Sequence, residues 1–151
     1  MRTYTRNSPE AAARIVALVL ISDGHVCRSE LEALNQLDGV RRLGLDPNRL
    51  PEIVQTFCED LLMEGFDGRS LLSHLGERLM ASLLAEVDDR QLQVQILRVA
   101  ASVAHADDHL SDGEGIMLDA ISRIWQTRSA NVGLTPTMIS RYALAHAGSP
   151  A

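Results

Sequence analysis

The sequence predicts an all-α fold: a compact bundle of about seven helices, one domain spanning residues 1–151, with an internal pseudo-twofold repeat. Three observations carry that expectation. Apolar residues recur at helical spacings of three and four along most of the chain, and no useful length alternates with the period of two that a half-buried strand needs. Helix-starting residues (Ser, Pro, Asp) and glycines punctuate those periodic runs. A segment of 25 residues recurs, without gaps, 84 positions later. The chain has 151 residues, 46% of them hydrophobic and 23% charged, which is the composition of one ordinary globular domain.

The elements follow in order. Ser8-Pro9-Glu10 starts a first helix, with Ser as N-cap, Pro in the first turn and an acid beside it. The apolar run 11–21 follows and Asp23-Gly24 closes it. A second helix is expected over 28–40, with Leu31, Leu34 and Leu37 on one face, and a connecting loop over 44–51. Pro51-Glu52 opens a third through Met63, whose stripe is Ile53, Val54, Phe57, Leu61 and Leu62, and the glycines at 65 and 68 break it. A fourth is expected over 70–87, with Leu71, Leu72, Leu75, Leu79, Leu83 and Leu84 inward. Asp88-Asp89 place negative charge at the start of a fifth, where the helix dipole favours it. That helix carries Leu92, Ile96, Val99 and Val103 to about Ala106. A sixth over 112–126 carries Ile116, Met117, Leu118, Ile121, Ile124 and Trp125, and Thr135-Pro136 caps a short seventh to about Ala145.

Composition excludes several functions. All 14 basic residues are arginine, so lysine-dependent phosphate binding, Schiff-base chemistry and lysine general bases are absent. The net charge of −6 and only five aromatic residues (Tyr4, Phe57, Phe66, Trp125, Tyr142) argue against nucleic-acid binding, which needs a basic face and stacking platforms. Two cysteines, Cys27 and Cys58, make no disulfide framework and point to a reduced, cytoplasmic setting. The longest apolar run is seven residues, against the roughly 20 needed to span a membrane.

The repeat aligns residues 14–38 with 98–122. Arg14 matches Arg98, Val19 Val103, Asp23 Asp107, His25 His109, Glu30 Glu114 and Leu34 Leu118. The repeat halves are about 8–40 and 92–126. The polar matches cluster where each helix pair is joined: an apolar helix ends at Asp, a short loop carries His, and Cys27 or Ser111 caps the next helix with Glu three residues on.

In these two motifs, Ser22-Asp23-Gly24-His25-Val26-Cys27-Arg28-Ser29-Glu30 and Ala106-Asp107-Asp108-His109-Leu110-Ser111-Asp112-Gly113-Glu114, the chain resembles the TerB tellurite-resistance family and the TerB-like domains that precede J-domains in some co-chaperones. The likeness covers essentially the whole chain. It departs from the pattern at Asp108, which stands in place of a glycine, at Cys27, in place of serine, and at Ser22, in place of alanine. The resemblance implies a helical bundle with an acidic face, a role in stress and tellurite resistance, and metal binding at the acidic loops.

The residues themselves admit two readings. Carboxylates in a short loop suit a hard divalent cation such as Ca²⁺, and a histidine among them shifts preference toward Zn²⁺, Mn²⁺ or Ni²⁺. The candidate ligands are Asp23, His25 and Glu30 in the first motif and Asp107, Asp108, His109 and Glu114 in the second. The alternative is structural: Ser111-x-x-Glu114 forms a capping box and the aspartates are solvated turn residues. Asp23 and Asp107 fit capping less well, because they sit at helix C-termini, where negative charge is disfavoured. They need a cation or an arginine, and Arg14 and Arg98, nine positions upstream, are the candidates. Cys27, at a helix start, is either a reactive thiol or a weaker cap. No catalytic constellation is visible. The expected function is therefore a non-enzymatic stress-response module that binds a divalent metal through its acidic loops. The alternative is a metal-free protein-interaction scaffold docking a membrane-associated stress complex or a chaperone.

Overall fold

A helix that is apolar all round belongs at the centre of a bundle, and α1 (Pro9–Leu20) occupies that place. The computed structural model describes residues 1–22, 32, 38–65, 76–105 and 112–130. Every residue from Ala11 to Leu20 is buried, Arg14 included. The start is built as the sequence predicts: Ser8 Oγ accepts from the Ala11 N–H at 3.2 Å, and Pro9 fills a first-turn position whose missing N–H costs nothing.

The remaining described elements are helical too and wrap this axis. Asp38, with φ 51, turns the chain into a single turn, α2 (Gly39–Arg42), and Gly44 (φ +79) turns it out again. Asp46 Oδ1 accepts from the Asn48 N–H at 3.0 Å and nucleates a 3₁₀ turn, Pro47–Arg49. That turn leads directly into α3 (Leu50–Met63), which buries Leu50, Ile53, Val54, Phe57 and Leu61, one stripe at spacings of three and four. Next come α4 (Glu77–Ala85), α5 (Arg90–Ala104) and α6 (Asp112–Ala130). Asp89 caps α5, accepting from the Gln91 and Leu92 N–H groups at 2.8 and 3.2 Å.

α1 packs against α5, α3 and α6; α5 also packs on α6 and α2, and α4 on α6. α6 contributes Met117, Ile121 and Trp125 at successive fourth positions. The buried Trp125 donates its indole N–H to the Leu84 carbonyl at 3.2 Å and so ties α6 to α4. With Trp125 and Phe57 its only fully buried aromatic rings among the described residues, the core is aliphatic, as the composition requires. No helix among the described residues is long and apolar enough to cross a membrane.

Several expectations need correction. Gly76 has an extended ψ of 154, so α4 starts at Glu77, and a continuous helix over 70–87 is excluded. The helix expected over 28–40 cannot run through Asp38, whose left-handed backbone interrupts it. The 44–51 connection contains a helical turn. Leu62 lies on the outer face of α3 beside Met63, and Ile116 on the outer face of α6, because each falls one position off the buried stripe. α6 runs on past Gln126 to Ala130. The helix expected over 135–145 lies outside the described residues.

Candidate functional site

Of the seven candidate ligands, the described residues include Glu114 alone; Asp23, His25, Glu30, Asp107, Asp108 and His109, with Cys27 and Ser111, lie outside them. Glu114 stands in the first turn of α6, where the helix dipole favours an anion. It is 3% exposed. Its carboxylate is withdrawn from solvent, a cost that polar contacts must offset. Among the described residues no group of three or more His, Cys, Asp or Glu side chains is placed to hold a metal ion.

The two helices that carry the repeat do meet. α1 and α5 pack against each other and start from one junction. At that junction Asn7, in the left-handed region at φ 58, donates its N–H to the Glu86 carbonyl at 2.7 Å. Its side-chain oxygen accepts from the Asp88 and Asp89 N–H groups at 2.9 and 3.0 Å, and its amide nitrogen donates to Asp88 Oδ1 at 2.6 Å. Arg6 reaches the other Asp88 oxygen at 2.9 Å. These two partners, Asn7 first, hold the Asp88 carboxyl below its ordinary pKa.

Arg14 is the centre of the charged structure here. It is 2% exposed, and its guanidinium forms an ion pair with Glu86, donates to the Arg2 carbonyl, and lies 4.8 Å from the centroid of the Tyr4 ring. Burial, opposed by Arg14, raises the Tyr4 pKa. These three partners lie toward the start of α1; Asp23, the partner the sequence suggests for Arg14, lies outside the described residues. Glu10, in the same first turn, has its pKa lowered, chiefly by backbone hydrogen bonding at the helix start and next by Arg49, 2.6 Å away. The signal for a buried pair was present in the sequence, in one arginine set among thirteen consecutive residues (10–22) that are otherwise nearly all apolar; nothing local pointed to Glu86 as the partner.

Arg98, the counterpart of Arg14, lines a small cleft of about 110 Å³ with Gly39, Arg42, Val99, Ser102 and Val103. Ser102 Oγ donates to the Arg98 carbonyl at 2.8 Å, so its proton is committed to the helix. Cys58 is half-buried on α3 and burial raises its pKa, which makes it a poor nucleophile at neutral pH. His105 is exposed at the end of α5. Comparison with protein families, curated proteins and solved structures returns no match for this chain.

Proposed function

We propose that the chain is a TerB-like, non-enzymatic stress-response module of the cytoplasm that binds a divalent cation (Ca²⁺, Mn²⁺ or Zn²⁺) and engages other stress proteins. In this reading Asp23, His25 and Glu30 face Asp107, Asp108, His109 and Glu114 across a pseudo-twofold relating halves 8–40 and 92–126 of a seven-helix bundle. The observation that carries it is the pairing of α1 with α5, which start at one junction and pack together. Helices leaving a shared start side by side would deliver both acidic motifs to the same end. Arg14 is engaged by Glu86, and in this reading the metal supplies the counter-charge for Asp23. The buried carboxylate of Glu114 fits an inner ligand or a brace for the start of α6.

Melting in the presence of each ion tests the proposal. A ligand at 100 times its Kd stabilises the folded state by about 2.7 kcal/mol, which is a rise of roughly 5–10 °C for a chain of this size. Asp23→Asn combined with Asp107→Asn should remove the rise. The absence of a shift with any of the three ions contradicts the metal reading.

One observation favours the scaffold alternative. Leu62 and Met63 stand exposed side by side at the end of α3, Met63 at 87%. A metal-free docking domain would use such a patch. It predicts a copurifying partner that survives EDTA and is lost in Leu62→Ser/Met63→Ser.

A further inference from the structure

The segment before α1 is a strap that runs from α3 to the α4–α5 junction and ends in a turn, the Ser8 N–H donating to the Thr5 carbonyl at 3.1 Å; its contacts resemble those of a bound peptide. Arg2, Tyr4 and Arg6 alternate with Thr3 and Thr5, so the three long side chains share a parity. The bundle meets them at three levels. Arg2 lies 3.7 Å from both Glu59 and Asp60 on α3. Tyr4 stacks on Arg14, and Arg6 pairs with Asp88 at the α4–α5 junction. The strap's backbone is read by side chains: the Arg2 N–H donates to Asp60 Oδ2 at 2.9 Å, the Tyr4 N–H to Glu86 Oε1 at 3.3 Å, and the Arg2 carbonyl accepts from Arg14. Arg2 and Arg6 are exposed, and the strap ends on the left-handed Asn7. Arg14 Nε, at the floor, has no hydrogen-bond partner.

These contacts are the chemistry of extended-segment recognition: backbone hydrogen bonds for affinity and charge at alternate positions for selectivity. We propose that residues 2–7 are a displaceable strap, and that the slot beneath them, floored by Arg14 and walled by Glu59, Asp60, Glu86 and Asp88, is a docking site for an extended partner segment with the pattern Arg-x-Tyr-x-Arg. The strap is its resident occupant and competes with the partner. Its two arginines are held by exposed ion pairs, individually weak and screened by salt, so these contacts open first while the bundle stays folded, and a partner segment then takes over the backbone and Tyr4 contacts. This slot uses no residue of the acidic motifs.

The test uses the ¹⁵N-labelled full chain and a synthetic peptide carrying residues 2–8. Arg6→Asp places a carboxylate against Asp88, lowering the closed fraction of the strap and leaving the slot more available. The peptide should bind this variant at least about threefold more tightly than wild type, since apparent affinity scales with the open fraction. In wild type, peptide should move the Tyr4 and Asn7 amide signals to unbound positions and leave those of α1 and α5 in place. Glu86→Gln should weaken peptide binding. If Arg6→Asp does not fold, Arg6→Ala serves. The proposal is overturned if saturating peptide leaves the strap signals unmoved, if a scrambled peptide of equal charge displaces the strap as well, or if strap and helix signals are lost together.

Discussion

Arg14 and Arg98 occupy the same position in two similar segments 84 residues apart, yet the bundle gives them different surroundings. Arg14 is sealed from solvent, paired with Glu86 and stacked on Tyr4. Arg98 is half-buried in the wall of a cleft, facing α2 and Arg42. The difference comes from what covers each helix. Residues 2–7 lie over the first turns of α1 and supply both a lid and a carbonyl for Arg14, while α5 meets the short α2 along its second half. A repeated residue therefore need not have a repeated role. The flanking segments decide what surrounds each arginine: residues 2–7 over Arg14, and α2 beside Arg98.

The largest expected effect tests that distinction. Arg14→Met leaves Glu86 without its buried counter-charge and should cost about 3 kcal/mol, because breaking one side of a buried pair strands the other. Arg98→Met should cost about 1 kcal/mol, the ordinary range for a site in contact with solvent. Equal losses in urea denaturation would erase the contrast. Next, Glu86→Gln keeps shape but removes charge, and about 2 kcal/mol is expected from weakened bonds to Arg14 and Tyr4. Removing the cap acceptors at the two helix starts should be nearly symmetric: Ser8→Ala and Asp89→Ala each cost about 1 kcal/mol. A much larger loss at Asp89 would mean that the junction itself, rather than the cap, is what it stabilises.

The smallest effect is a pH dependence. Asp88 has its pKa lowered in the folded chain by Asn7 and Arg6. Its contribution is therefore complete above the ordinary aspartate value near 3.8 and is lost as pH falls through the lower folded value. Asp88→Asn should flatten the acid limb of a stability profile below about pH 4 and leave the neutral region unchanged in shape. Full retention of that limb in the variant would show that other carboxylates set it.

Much of the architecture was legible because helical periodicity and caps are local. Ser8-Pro9, Pro51, Asp89 and the stripe of Ile53, Val54, Phe57 and Leu61 behave as their types and spacings dictate. What failed were decisions that tertiary context makes. Leu62 and Ile116 are as apolar as their neighbours, and only the angle at which α3 and α6 meet the core sets them outside. Gly76 sits within a leucine pattern that reads as continuous helix, but its extended backbone ends that continuity. The Arg14–Glu86 pair joins residues 72 positions apart, a separation no local pattern encodes. The strap was legible in principle, as the alternation of Arg2, Tyr4 and Arg6, but five residues make too short a run to separate from a polar tail. Of the acidic motifs, Glu114 is buried in the first turn of α6, Ser22, Asp112 and Gly113 are also among the described residues, and 23–30 and 106–111 lie outside them.

In the proposed function the two acidic motifs act together on one cation. Paramagnetic broadening by Mn²⁺ in the ¹⁵N-labelled full chain tests it most directly. Substoichiometric Mn²⁺ should broaden the signals of residues 23–30 and 107–114 in step, over the same concentration range, and spare those of the strap slot. Broadening of one motif without the other, or of surface acids indiscriminately, would contradict it.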